Sequence, residues 1–102
     1  MGSPKIIRTL DDYEVRRKIR QWIAHPTPRR GWADEAACRN TPKDEFYGWV
    51  KPSTRAMCAT CPVASDCLAE AMQYARQDDE GYRAGTNNGD RAVMLRMRRE
   101  VA

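Results

Sequence analysis

The chain carries four cysteines, Cys38, Cys58, Cys61 and Cys67, in the pattern C-x19-C-x2-C-x5-C, with none left over. No other feature constrains its fold so tightly. Two cysteines at C-x2-C spacing can reach one metal ion or cluster, because a single tight turn brings both sulfurs to the same side. Pro62 suits the first position of a helix, where a missing N–H costs nothing. Cys61 then falls at the helix cap, where the positive end of the dipole favours its thiolate. Cys67 lies on that same helix with Leu68, facing whatever Cys58 and Cys61 hold. Cys38 must return from a distant loop to complete the set.

The rest of the composition makes such a staple necessary. Ile, Val, Leu and Phe together supply 13 of the 102 residues, below the roughly one-fifth that usually marks a self-sufficient core. The mean hydropathy is −0.81. A chain of this length forms one small domain, and one this poor in core residues needs a disulfide framework, a metal or a partner to fold. The net charge of +4 permits contact with nucleic acid without demanding it. No run of 18 apolar residues exists, so no membrane span is expected. The start, Met1-Gly2-Ser3-Pro4-Lys5-Ile6-Ile7-Arg8, lacks an apolar core of signal-peptide length. The expectation is a cytoplasmic protein, monomeric alone, in which metal or cluster binding outranks disulfides.

Along the chain, residues 1–10 read as a loose lead. A helix is expected from Asp11 to Ala24, capped by Asp11 or Asp12, with Val15, Ile19 and Ile23 along one face and Trp22 beside them. Arg16, Arg17, Lys18 and Arg20 on its other faces read as a solvated basic surface. His25-Pro26-Thr27-Pro28-Arg29-Arg30-Gly31 reads as a linker. It divides an N-terminal extension, residues 1–31, from a functional domain, residues 32–102. Trp32 to Ala37 suits a helical turn that delivers Cys38. Residues 39–52 read as a loop crowded with Phe46, Tyr47 and Trp49, which either cover the cysteine site or anchor a protein partner. A helix capped by Ser53 runs to Cys58, and a longer one runs from Pro62 to about Gln77 on an apolar stripe including Leu68, Ala71 and Met72. Asp78-Asp79-Glu80-Gly81 ends it. A glycine turn follows, then Asn87-Asn88-Gly89-Asp90 as turn and cap, and a last helix from Arg91 to Glu100. No convincing strand appears, so the fold class is all-α: about four short helices organised around the four cysteines.

Three chemistries compete for those cysteines. Zinc takes four thiolates tetrahedrally, usually from two C-x2-C pairs, and only one such pair exists here. An iron–sulfur cluster tolerates more varied spacing because its ligands spread over a larger object. A dithiol–disulfide oxidoreductase working through Cys58 and Cys61 would need a βαβ context that is missing. Spacing alone leaves zinc and a cluster open. No catalytic constellation is visible either: the lone His25 sits among prolines, with no Ser, Asp or Glu adjoining it. The expectation is a non-enzymatic protein.

The chain resembles the WhiB-like proteins, small iron–sulfur transcription factors of actinobacteria and their phages. That family has a first cysteine, a variable loop, then C-x2-C-P-V and C-x5-C leading into a helix. Cys38, Cys58, Cys61-Pro62-Val63 and Cys67-Leu68 match it position by position. A tryptophan before the first cysteine and an aromatic pair after it are matched by Trp32 and Phe46-Tyr47. The resemblance spans roughly residues 32 to 99. It departs at the family turn Gly-Val/Ile-Trp-Gly-Gly, where this chain has Gly81-Tyr82-Arg83-Ala84-Gly85. The outer glycines are kept and the tryptophan is replaced by Arg83.

The resemblance implies a transcriptional regulator whose Cys38, Cys58, Cys61 and Cys67 hold a 4Fe–4S cluster. It implies a face built from Trp32, Phe46, Tyr47, Gly81, Tyr82, Arg83 and Gly85 that binds domain 4 of the primary sigma factor of RNA polymerase. It also implies auxiliary DNA contacts from a basic C-terminal segment, where Arg91, Arg96, Arg98 and Arg99 stand. Four thiolates and a core of charge +2 would take the formal net charge from +4 to +2. Any DNA contact must therefore rest on local arginines, beside the sigma factor. A zinc-stabilised DNA-binding module is the alternative.

Overall fold

The computed structural model describes residues 8–75 and 81–101. Four α-helices, α1 (Asp12–Ala24), α2 (Pro52–Ala59), α3 (Ala64–Gln73) and α4 (Asn88–Val101), are joined by loops that carry two 3-10 turns, Trp32–Glu35 and Lys43–Phe46. Among the described residues the only extended pairing is an isolated bridge between Arg83 and Thr86. The all-α expectation holds.

Local chemistry explains where each helix begins, and three starts differ from those expected. The Asp11 carboxylate caps α1 by accepting the Glu14 N–H at 2.8 Å, satisfying one of the orphan donors of the first turn. Helix α2 begins at Pro52 rather than after a Ser53 cap, with Lys51 extended at the cap position. Proline's fixed φ and missing N–H suit the first helical position. That same logic fails at Pro62. Cys61, Pro62 and Val63 form a turn closed by Ala64 N–H donating to the Cys61 carbonyl at 3.3 Å, and α3 starts only at Ala64, with Val63 at its cap. Cys61 therefore does not cap α3. The fourth helix starts at Asn88, earlier than Arg91, because Asn87 and Asp90 form a reciprocal cap. The Asn87 side chain accepts the Asp90 N–H at 2.7 Å, and the Asp90 carboxylate accepts the Asn87 N–H at 2.9 Å. Helix α3 ends at Gln73, with Tyr74 at its cap, short of the expected end near Gln77, and the expected stop at 78–80 lies outside the described residues.

The core joins Val15, Ile19 and Trp22 of α1 to Leu68 and Met72 of α3, to Ala84, and to Val93 and Met94 of α4. Ile23, expected inward, is at the surface, and Trp22 is buried in its place. At 3.6 residues per turn, eight residues carry Ile23 about 80° past Val15, whereas Trp22 stays within about 20° of it. Helices α1 and α4 run side by side in the same direction. At one end the Asp90 carboxylate, fully buried, accepts the Thr9 N–H at 2.7 Å, the Thr9 hydroxyl at 2.8 Å and the Leu10 N–H at 2.9 Å. At the other, the Arg98 guanidinium stacks over Trp22, 4.2 Å from the ring centre.

The stretch read as a linker is pinned to α3. Asp66, buried at the start of α3, accepts from the Arg29 guanidinium at 3.0 and 3.1 Å and from its N–H at 2.8 Å, and pairs with His25 Nε2 at 2.7 Å. The Arg29 guanidinium above all holds the Asp66 carboxyl down at about 2. Packing thus crosses the expected boundary at residues 25–31, because α1 supplies Val15, Ile19 and Trp22 to the core. Ile19→Ala is expected to cost about 2–5 kcal/mol in denaturant unfolding, the range for emptying a buried isoleucine site. A chain shortened to residues 32–102 is expected to lose cooperative thermal melting by circular dichroism. A cooperative melt near the full-length temperature would support a domain that begins at residue 32.

Candidate metal centre

All four cysteines line one cleft of about 460 Å³. Cys38 sits in the turn that follows Trp32–Glu35, Cys58 in the last turn of α2, Cys61 in the connecting turn and Cys67 in α3. Each is a free thiol and each is half-buried. The short α2 and its tight exit explain why Cys58 and Cys61 share a side: Cys61 N–H donates to the Cys58 carbonyl at 3.4 Å. Backbone N–H groups and one guanidinium surround the sulfurs. The Ala37 N–H lies 3.5 Å from Cys61 Sγ. The Gly85 and Ala84 N–H groups favour the Cys58 thiolate, and the Arg83 charge favours that of Cys67.

These donors set the electrostatics. Burial pushes the Cys58 thiol up, opposed by the Gly85 and Ala84 N–H groups. Burial likewise pushes Cys67 up, opposed by the Arg83 charge and hydrogen bond. A buried sulfur with N–H groups already aimed at it is prepared to be a thiolate once a cation shares the site. The donor set is all sulfur, which suits soft metals and iron–sulfur clusters. His25 is committed to Asp66. Among the described residues no three Cys, His, Asp or Glu side chains gather around one point as a single ion requires.

The aromatic residues fall into two groups. Trp32, Phe46, Tyr47, Tyr82 and Arg83 line the cysteine cleft. Tyr47 is 51 % exposed and Trp49, noted for its place in the crowded loop, is 77 % exposed. Trp32 and Phe46 are half-buried, whereas Gly81 and Tyr82 are buried. Tyr82 N–H donates to the Phe46 carbonyl at 2.7 Å, and Arg55 sits over its ring. Gly81 and Tyr82 therefore build the rim and do not display it. Gly85 lies behind the cleft, beside Lys18. Arg83 is partly exposed and pairs with Glu70 across the rim, which is how the chain accommodates a cation at this position.

The arginines of α4 divide as well. Arg96, Arg98 and Arg99 are exposed. Arg91 is fully buried, so its expected place among surface DNA contacts is corrected. Its guanidinium donates to the Thr86 carbonyl at 2.8 Å, the Thr86 hydroxyl at 3.0 Å and the Gly81 carbonyl at 2.7 Å. Helical register places Arg91 beside the Asp90–Met94 stripe, and carbonyl acceptors leave no mark in a sequence. Lys18 was also missed as a residue of this region, because its stretch of α1 reads as a basic solvated face.

A family model described as transcription factor WhiB matches residues 32–94. No curated protein and no solved structure matches the chain. The matched stretch holds all four cysteines and the first half of α4, and it covers more than half of the sequence. The chain belongs to the WhiB family of transcription factors.

Proposed function

We propose that the chain is a transcriptional regulator that holds a 4Fe–4S cluster on Cys38, Cys58, Cys61 and Cys67 and docks on domain 4 of the primary sigma factor. It acts in the cytoplasm, as a monomer until it meets that partner. The observation that carries the reading is the single cleft in which all four sulfurs meet the aromatic rim of Trp32, Phe46 and Tyr47. The cluster, when bound, supplies a redox-responsive centre that ties the loop of Cys38 to α2 and α3. The residues around it exclude water, donate N–H groups to the sulfurs and carry the exposed aromatics. Cluster binding and partner binding thus share one scaffold: Tyr82 N–H fastens the aromatic loop to the turn behind the cysteines. Arg96, Arg98 and Arg99 add contacts to DNA phosphates beside the sigma factor.

The protein purified without oxygen is expected to be brown, with about four irons and four sulfides per chain, the stoichiometry of a cubane held by four cysteines. A colourless protein with one tightly held zinc would replace this reading with the zinc-stabilised module. Phe46→Ala and Tyr47→Ala are each expected to weaken sigma domain 4 binding by about 2 kcal/mol or more, the range for aromatic hot spots. Calorimetry on the cluster-loaded variants measures this, and a wild-type protein that binds no sigma domain 4 sinks the partner assignment. With three exposed arginines the salt slope of any DNA contribution is expected near −2.7, about −0.9 per phosphate. Arg91→Ala is expected to lower the melting temperature and leave that slope unchanged.

A further inference from the structure

The turn behind the cysteines is held in an unfavourable backbone conformation. Arg83 and Thr86 exchange two backbone hydrogen bonds, at 2.8 and 2.9 Å, around Ala84 and Gly85. Both central residues have positive φ, +53° and +78°, as in a type I′ hairpin turn. Gly85 adopts that region freely, but an L-residue such as Ala84 is disfavoured there because its Cβ crowds the following carbonyl oxygen. Successive N–H groups in such turns form concavities that receive anions, iron–sulfur sites among them. Here Gly85 lines a cleft together with Cys58, whose thiolate the Ala84 and Gly85 N–H groups favour.

One side chain from α1 supports this turn. Lys18 Nζ donates to the Ala84 carbonyl at 2.7 Å and lies 3.4 Å from Gln21 Oε1. It packs so closely that a Cβ added at Gly85 would sit 3.3 Å from Nζ. Lys18, Cys58 and Gly85 also line a second cleft in common. Burial and the neighbouring Arg17 pull the lysine pKa below its ordinary value, while the Cys58 and Cys67 sulfurs pull it up. Helix α1 lies outside the family match at residues 32–94, so the match does not describe this support.

We propose that Lys18 is a positioning residue of the cysteine centre: it holds the Ala84 carbonyl and so keeps the left-handed turn, with its N–H groups, on the Cys58 sulfur. The effect on an electron-accepting cluster rests on the proposed function; the effect on the turn does not. Hydrogen bonds to the sulfurs and nearby positive charge both favour a more reduced cluster. Loss of Lys18 removes the charge and loosens the donors, so both consequences lower the reduction potential.

The test uses the full-length protein with Lys18→Met, which keeps the apolar stem and removes the ammonium, and Lys18→Arg, which restores a cationic donor. Hydrogen exchange of the segment 81–87, read by mass spectrometry on the protein with whatever metal it carries, is expected to accelerate about tenfold in Lys18→Met. Exchange in α3 should stay unchanged, and Lys18→Arg should recover most of the protection. In the anaerobic cluster-loaded protein, Lys18→Met is expected to lower the one-electron equilibrium constant about threefold or more, where tenfold corresponds to about 59 mV. If Lys18→Met does not fold, the double variant Lys18→Met/Ala84→Gly carries the test against Ala84→Gly alone, since glycine removes the left-handed penalty. Unchanged exchange in 81–87 overturns the proposal. Faster exchange with an unmoved potential overturns its reach to the cluster. A wild type without iron or sulfide overturns the cluster reading alone, and the exchange measurement still decides the role of Lys18.

Discussion

The turn from Arg83 to Thr86 is the joint at which the helices and the cysteine cleft meet. From α4, the buried guanidinium of Arg91 holds Thr86 and the Gly81 carbonyl. From α1, Lys18 holds the Ala84 carbonyl. On its far side the turn lines the cysteine cleft, where its N–H groups favour the Cys58 thiolate and Arg83 that of Cys67. Neither helix need touch a cysteine to affect one. A displacement of α1 or α4 would move the turn beside Cys58 and Cys67, because Lys18 and Arg91 hold its carbonyls by short directional bonds.

This use of polar groups follows from the scarcity of aliphatic ones. Asp66, Thr86, Asp90 and Arg91 are buried, and among the described residues no buried side-chain nitrogen or oxygen lacks a hydrogen-bond partner. Such a network gives less net stability than an apolar core of the same volume, but it tolerates few alternative arrangements, since each misplacement strands a desolvated group. Asp90 is the clearest case. One carboxylate caps α4, receives Thr9 and Leu10 and so sets where α1 begins against α4. The small apolar cluster of Val15, Ile19, Leu68 and Met94 then packs in a register that hydrogen bonds have already chosen.

Much of the centre was legible in the sequence because metal-ligand spacing is local. C-x2-C on a turn and C-x5-C into a helix need only a few residues of context, and α1 and α3 show the periodicity of a buried stripe. What could not be read is long-range. Nothing in the stretch from Asp11 to Ala24 says that its apolar face meets α4. The partner of His25, Asp66, is 41 positions away, and the acceptors of Lys18 and Arg91 include backbone carbonyls, which every residue possesses. Helix starts shifted for a related reason. Pro52 and Pro62 look alike in sequence, yet Pro52 begins a helix, whereas the turn from Cys58 to Ala64 occupies Pro62.

The Arg83–Glu70 pair alters what the rim offers a partner. The family resemblance places a tryptophan where Arg83 stands, and a tryptophan gives up water readily on docking. Arg83 and Glu70 are 24 % and 35 % exposed at their side chains, so a partner that covers them must remove water from both charges. An apolar partner surface there would meet a desolvation cost that the pair's own attraction, already made in the free protein, does not offset. Polar groups on the partner could complete the bonding of Glu70, but they would gain little beyond replacing water. Tyr47 and Trp49 are not so constrained: both expose large apolar area, and the loop that carries them is tied to the turn through Phe46 and Tyr82. In this chain the favourable part of any docking surface around the cleft therefore lies on the aromatic loop, and the turn contributes by holding that loop and the sulfurs in one frame.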